Sequence, residues 1–534
     1  MDELVKSIPV VDNSASDFLS NCPVDFKYHF NWREVTPKEI SNVVAKLSNS
    51  KSMDYYGISN FILKNTIQFI KEPLALVINK CLKEGYFPNL LKISKIIPVF
   101  KKGDRNLPKN YRPVSIVPIF SKIMESLMYN QLNCYFEANN ILSESQFGFR
   151  PGRSTTSAVL DIVSTTLEAF EDKKYVNLAL LDLSKAFDCV PFDILLFKLK
   201  FYGLSSNSVK LIDSYLQNRL QYVYVQGKQS TMLEVGRGVP QGSVLGPFFF
   251  IVAINDLPYN VAAKSIIYAD DTTLLLSHKN KQELELDTSK AQESAFSWFS
   301  ANQLVCNPDK TQKLTMSLFQ NQQLQSVKLL GIHIDSKLNW NSHIQSLCAK
   351  LSRVSFLLWK LIDFVTKEYL RSVYFAFFQS HIMYGIIIWG HAPSVHHILL
   401  VQKRVVRTLC RVGDREPCRP LFVKLKILTV VNLYILQVLL YTKLHFHKFP
   451  LRNSVHQHYT RGHEHINIPS HRLAKTGNSL SINCIRFFNM LPGSSHNVPF
   501  RIFKTKITDW LILNPFYNIK EFLDCEAGLN SIVF

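Results

Sequence analysis

Residues Ser265 to Leu276 (SIIYADDTTLLL) are two apolar runs joined by a pair of adjacent acids. This pattern predicts a hairpin with Asp270 and Asp271 at its tip. A second apolar run, Val176 to Leu183 (VNLALLDL), predicts another strand, with Asp182 near its end. Carboxylates flanked by Leu180, Leu181, Ile266 and Ile267 are poorly hydrated and call for a positive partner. Two divalent cations roughly 4 Å apart would supply it, an arrangement suited to in-line phosphoryl transfer. Oxygen ligands suit Mg²⁺, with Mn²⁺ as a substitute. An isolated Asp-Asp has a simpler reading as turn acids, because aspartate is common in β-turns.

Charge narrows the partners. Sixty-one Lys and Arg stand against 41 Asp and Glu, a net charge of +20 and a pI near 9.4. The excess predicts attraction to a polyanion, either nucleic acid or an anionic membrane surface. The N-terminus, Met1-Asp2-Glu3-Leu4, has no basic segment followed by an apolar core, which argues against a secreted protein. The apolar stretch Val373 to Gly390 is interrupted by Gln379, Ser380 and His381, and Leu421 to Tyr441 carries Lys424 and Lys426. Both predict buried helices rather than membrane spans. Ten cysteines without a Cys-x-x-Cys pair suit reduced thiols in the nucleus or cytoplasm. His456, His458, His463, His465 and His471, near Cys484, lack a recognised ligand spacing and read as a solvated basic loop rather than a zinc site.

Thr36-Pro37 and Glu39 predict the start of a helix over residues 36–48. A second amphipathic helix runs from about Phe61 to Glu84 and stops at Gly85. Ile96 to Phe100 reads as a short strand feeding the basic turn Lys101 to Arg105. Ser154 or Thr155 caps a helix reaching about Glu171, Tyr222 to Val225 is a further strand, and from about His343 to Arg411 the pattern is helical.

These elements carry a series of motifs in order. Leu181 to Asp188 (LDLSKAFD) resembles motif A of the reverse transcriptases of non-LTR retrotransposons, the jockey-like group especially. Gly238 to Pro247 (GVPQGSVLGP) resembles motif B, Tyr268 to Asp271 (YADD) motif C, and Asn307 to Thr311 (NPDKT) motif D. Leu329-Leu330-Gly331 resembles motif E, which grips the primer. Upstream, Phe100 to Asp104 and Asn110 to Pro113 resemble the fingers motif, and Phe147 to Ser154 the next one. The resemblance spans roughly residues 35 to 515 and is most specific over 95 to 345.

What the resemblance implies is an α+β right-hand polymerase: fingers, a palm with an antiparallel sheet, an α-helical thumb and a helical C-terminal region. The implied division is a linker over 1–35, fingers and palm over 36–340, thumb over 341–425 and a C-terminal region over 426–534. An endonuclease domain, usual ahead of the polymerase in full elements, is expected to be missing from this chain. By the resemblance, Asp182 and Asp270 ligate two cations, with Asp271 and the Leu183 carbonyl completing the shell. Lys101 or Lys102, with Arg112, clamps a deoxyribonucleoside triphosphate, a task to which the planar guanidinium is suited. Phe187 lies under the sugar as a steric gate, Gln241 bonds near the nascent pair, and Gly242 leaves room for nucleotide and template. Lys310 protonates pyrophosphate. Arg150, Arg153, Gly331 and an Arg404–Arg407–Arg411 stripe at helical spacing contact the RNA template and DNA primer.

Each residue also has a plainer reading: Lys101 and Lys102 as a solvated turn, Phe187 as a core side chain, Lys310 as a surface lysine, the arginine stripe as a solvated face. Two other functions compete with polymerisation. A folded remnant without catalysis is countered by the intact Asp182, Asp270 and Asp271. A nuclease is countered by motif B and the phosphate-clamp residues, which serve an incoming nucleotide.

Overall fold

Thr36 accepts a hydrogen bond from the Glu39 amide, and the Glu39 carboxylate returns one to the Thr36 amide. This capping box starts α1 (Pro37–Lys46) where the sequence pattern puts it. The computed structural model describes residues 8, 9, 11, 13–307, 310–319, 324–455, 465–525 and 529. Pro308, Asp309 and the histidines at 456, 458 and 463 lie outside the described residues.

The next helix, α2, covers Asn60–Glu84 and stops at Gly85 as expected. β1 (Ile93–Phe100) pairs antiparallel with β2 (Tyr111–Ile116), in a register that sets Val99 opposite Arg112. After α3 (Ile119–Ala138) and the expected helix over Thr155–Glu171 comes β3 (Tyr175–Leu181), almost wholly buried, as expected of an apolar run. α4 (Phe192–Phe201) and α5 (Ser206–Leu216) lead to β4 (Arg219–Val225), which pairs parallel with β1. Two short strands, β5 (Lys228–Gln229) and β6 (Leu233–Val235), pair with β4. α6 (Leu245–Ala253) is apolar on all sides and buried on all sides. β7 (Lys264–Tyr268) and β8 (Asp271–His278) form the predicted hairpin, and β3 lies next to β8 in the same sheet. α7 (Lys281–Ala301) follows.

Contacts divide the chain into two compact units. The first comprises Met1–Ala158, Asn177–Leu276 and Gln282–Lys313; the second comprises Val159–Val176, Ser277–Lys281 and Leu314–Phe534. Residues 341–425 and 426–534, distinguished at the sequence level, thus share one unit, and residues 314–340 join them rather than the preceding region.

The core of the first unit contains a fully buried ion pair. Lys198 on α4 donates to Asp256 (2.5 Å) and to the Ala253 carbonyl, and the indole of Trp298 on α7 donates to the other Asp256 oxygen at 2.9 Å. The ammonium also faces the Trp298 ring, 4.6 Å from its centroid. Burial pulls the Lys198 pKa down, and Asp256 acts against it.

The second unit is mainly helical. A hairpin of β9 (Ser326–Leu329) and β10 (Ile332–Asp335) precedes α8 (Asn341–Leu361). The stretch that reads as continuously helical from 343 to 411 is in fact interrupted at 362–366, at Tyr384-Gly385 and at 390–394, before α9 (Val395–Cys410). Gly385 is at φ 63°, and the turn there lets the chain fold back. Gln402 on α9 is buried and bonds Tyr374, the Leu428 carbonyl and the Val430 amide. It ties α9 to the start of α10 (Val430–Leu444), which packs against α11 (Leu480–Asn489) and α12 (Phe500–Leu513). Among the described residues no single helix is long and apolar enough to cross a membrane.

The buried pair generates a test. Lys198→Met strands the Asp256 carboxylate in the core, a change that costs about 3–5 kcal/mol. The urea midpoint of the purified chain should fall accordingly, and Lys198→Met combined with Asp256→Leu should recover much of the loss. Equal midpoints for wild type and the single variant would show that the pair carries no stability.

Candidate active site

Tyr268 stands opposite Asp271 in the β7–β8 register, so Ala269 and Asp270 alone make the turn. Ala269 has φ 57°, a conformation that glycine usually supplies at the first position of such a turn. A residue with a Cβ persists there only when its surroundings enforce it. The brace is the segment before Gly148. Phe147 donates to the Ile267 carbonyl at 2.7 Å and Ile267 to the Ser145 carbonyl at 2.8 Å, a parallel bridge beside β7. Gly148 then passes so close that a Cβ would stand 2.3 Å from the Ala269 nitrogen. The sequence singled out Phe147 to Arg150 as a motif, and its glycine serves this close approach.

Asp182 follows the last residue of β3. Its carbonyl accepts from the Asn307 amide at 3.0 Å, and the Ser184 amide donates to Val305 at 2.8 Å, with Leu183 opposite Cys306 between them. Because the flanking residues make those bonds, the Leu183 carbonyl points away from the 305–307 segment. Lys310 Nζ lies 3.3 Å from Asp182 Oδ2.

The three carboxylates act on one another. Burial raises Asp270 above the usual carboxylate range and the charge of Asp182 adds to it, while Lys101 and Arg112 oppose the rise. Asp271 is pushed up to about 6, by loss of hydration first and then by Asp270 and Asp182. Asp271 is exposed by surface area, yet loss of hydration remains the largest cause of its rise. Lys101 and Arg112 thus bear electrostatically on Asp270, while Lys102 is exposed on the adjoining turn.

No three His, Cys, Asp or Glu side chains among the described residues converge as a ready-made ion site. The donor chemistry nonetheless fits a hard divalent cation. Asp182, Asp270 and Asp271 offer oxygen only, and the latter two are held where a cation would relieve their repulsion.

The Gly238–Gly242 loop is locked on two sides. Val239 donates to the Phe187 carbonyl and Gly238 to that of Val190, each at 2.8 Å; on the other side Ser115 of β2 donates to the Gln241 carbonyl at 2.7 Å. A Cβ at Gly242 would stand 2.4 Å from the Ser115 carbonyl oxygen, so only glycine allows this approach. Gln241 Nε2 donates to Asp188 Oδ1 at 2.9 Å; burial raises the Asp188 carboxyl and this hydrogen bond opposes it. Phe187 is half-buried, stacked on Phe250 at 4.5 Å and perpendicular to the Phe149 ring at 6.0 Å. It is therefore core on one face and accessible beyond it. A cavity of about 1040 Å³ is lined in part by Asp188, Gln241, Arg219 and Arg237, while the three carboxylates stand outside its lining.

Two residues had no assigned role in the sequence. Glu125 on α3 is wholly buried and accepts from the Val244 and Leu245 amides (2.7 and 3.3 Å) and from Ser121. Its charge thereby meets the start of α6 and anchors the far end of the glycine loop. Asp188 lies within motif A, but its bond to Gln241 joins residues 53 apart in the chain. No local pattern signals either contact.

Some expectations need correction. The Arg150 side chain is 8% exposed; it pairs with Glu137 at 2.8 Å and donates to the Ser143 carbonyl. Its donors are spent on the fold, so it is not presented to nucleic acid. Arg153 pairs with Glu144 and lies over the Phe147 ring, 5.1 Å from its centroid. In the second unit, Arg404 is exposed, but Arg407 donates to the Glu416 carbonyl, and Arg411 terminates α9 at φ 54° with a bond to the Ile362 carbonyl. The three arginines therefore do not form one helical stripe, because the left-handed cap takes Arg411 out of register. Gly331 is exposed in the β9–β10 turn, where the Tyr384 hydroxyl donates to the Leu330 carbonyl at 2.6 Å.

The raised pKa of Asp271 makes a pH-dependent prediction. Between the ordinary carboxylate value and about 6, the folded chain holds a proton that the unfolded chain has released, so the stability contributed by this group falls as pH rises through that window. Divalent cation should therefore raise the melting temperature more at pH 7 than at pH 5. Asp271→Asn should shrink that difference; a cation effect independent of both pH and this substitution would place the ion elsewhere.

Residues 99–334 match the sequence profile of the reverse transcriptases (RNA-dependent DNA polymerases). The chain is 31% identical over 411 residues to the probable RNA-directed DNA polymerase from transposon BS of Drosophila melanogaster, a match covering 71% of this chain and 45% of that protein. It is 30% identical to the RNA-directed DNA polymerase from mobile element jockey of the same organism, over 70% of this chain and 44% of the relative. The corresponding protein of the X-element is 29% identical, with the same coverage. This chain thus spans less than half the length of these relatives. Residues 99–334 thus carry a reverse-transcriptase domain, and over about 70% of its length the chain is similar to the RNA-directed DNA polymerases of these mobile elements.

Proposed function

We propose that the chain is an RNA-directed DNA polymerase that extends a DNA 3′-hydroxyl on an RNA template. The observation that carries this reading is the electrostatic grouping of Asp182, Asp270 and Asp271, with Lys101 and Arg112 acting on the same carboxylate. A nuclease needs the acids but has no use for a triphosphate clamp beside them.

In this reading the first unit supplies fingers and palm, and the helices after residue 340 supply the thumb. Asp182, Asp270, Asp271 and the Leu183 carbonyl would hold the divalent cations, Mg²⁺ with Mn²⁺ as a substitute. When bound, such ions lower the pKa of the primer hydroxyl and neutralise the departing pyrophosphate. Lys101 and Arg112 bind and orient the triphosphate of the incoming deoxyribonucleotide. Gln241, its amide oriented by Asp188, bears on the nascent base pair. Lys310, already beside Asp182, is positioned to deliver a proton to the leaving group. Phe187, fixed from below by Phe250, presents its remaining surface to the sugar.

Extension of a DNA primer on an RNA template tests the assignment. Asp182→Asn and Asp270→Asn each keep the shape and remove charge, so extension should drop by orders of magnitude while the melting temperature holds or rises. Near-normal extension by either variant would remove that residue from the site.

Sugar choice tests Phe187. Phe187→Ala should increase ribonucleotide incorporation relative to deoxyribonucleotide, since the gate against a 2′-hydroxyl is lost. It should also lower stability, by no more than the about 3–5 kcal/mol of a fully buried phenylalanine. A destabilised enzyme with an unchanged incorporation ratio would make Phe187 a core residue only.

A further inference from the structure

We propose that the end of α8 and the corner after it form a docking ridge for single-stranded RNA; the choice of RNA rests on the function proposed above. α8 turns Ile344, Leu347, Leu351 and Leu358 inward at helical spacing, which satisfies its core face. The aromatic residues fall outside that face. Phe356 is 60% exposed, Trp359 54%, Phe364 at the corner 82%, and Tyr369 on the next helix 67%. Side chains of this size left in water in one segment mark a binding surface.

Charge indicates which partner. Residues 345–371 carry five bases, Lys350, Arg353, Lys360, Lys367 and Arg371, against two acids, Asp363 and Glu368. Lys360 Nζ lies 4.8 Å from the Trp359 ring centroid and 5.7 Å from that of Phe356, and the two rings are 5.9 Å apart. Arg411 brings another cation from α9, through its bond to the Ile362 carbonyl. This gives a physical use for the one arginine that leaves the helical register. Protein interfaces concentrate aromatic residues but are depleted of lysine at their centres. Rings interleaved with lysine and arginine instead match a strand whose bases stack while its phosphates meet cations. Stacking of this kind needs unpaired bases, since a duplex keeps its base faces covered. The occupant is therefore a single strand.

The test uses the whole chain without nucleotides or divalent ions, so its outcome does not depend on polymerisation. The probe is a labelled oligouridylate of about 16 nucleotides, long enough for such a site. An abasic oligomer of equal charge and a duplex RNA are run beside it. Wild type should bind oligouridylate more tightly than the abasic oligomer, and Trp359 emission should be quenched. Trp359→Ala with Phe364→Ala should weaken oligouridylate binding by about tenfold or more and leave duplex binding and the melting temperature unchanged. Unchanged oligouridylate affinity, or an equal loss for the duplex and the abasic oligomer, would overturn the proposal. So would self-association in sedimentation that the double variant abolishes, since that would give the ridge to a second copy of the chain. Failure of the wild-type chain to extend a DNA primer on an RNA template would defeat the polymerase assignment while leaving this binding result intact.

Discussion

Repulsion among Asp182, Asp270 and Asp271 is the constraint to which the first unit is built. Asp270 and Asp271 are raised by burial and by their neighbours' charge, and neither has an ion-pair partner among the described residues. A two-residue turn with alanine in a left-handed conformation would not hold two such acids by itself. It is held because the 145–148 segment bonds to β7 and presses glycine against the turn.

The buried acids among the described residues set this trio apart. Asp54 is met by the amides of Tyr56, Ile58 and Ile119, Asp256 by Lys198 and Trp298, Glu125 by the amides that open α6, and Asp335 by the amides of Asn339 and Trp340. Each of these carboxylates is satisfied by the fold, as a buried charge must be. Asp182 has Lys310 at 3.3 Å, but both groups are substantially exposed, so that contact is weak and exchangeable. Among the described residues, Asp270 and Asp271, raised by burial, stand instead without such partners at the tip of the predicted hairpin.

Rigidity around the acids is distributed in the same sense. The glycine loop is bonded to residues 187–190 on one side and to β2 on the other, so the strand that bears Arg112 and the turn that bears Phe187 are set by one short segment. Glu125 fixes where that segment ends. A site assembled from several strands and loops can keep such a register only if its connectors are bonded in this way.

Much of this was legible in the sequence because it is local. Thr36 and Glu39 lie three residues apart, the hairpin is one continuous run, and the acids are marked by the apolar residues beside them. Period and capping report such features directly. Family resemblance carried the order of the motifs and hence the chemistry. Tertiary structure alone decided what each side chain does with its polar atoms. Arg150 looks as available as Arg112 in the sequence, yet Glu137, 13 residues away, takes it into the interior, while Arg112 stays exposed on β2. Asp188 and Gln241 meet across 53 residues, and Arg411 is turned out of the arginine series by a left-handed cap that nothing in its spacing announces. The sequence by itself determined the capped helix that opens at Thr36, the hairpin and where its acids fall, because those depend on neighbours along the chain. Which charges remain available to a ligand was decided by the fold, because that depends on partners brought close only when the chain is packed.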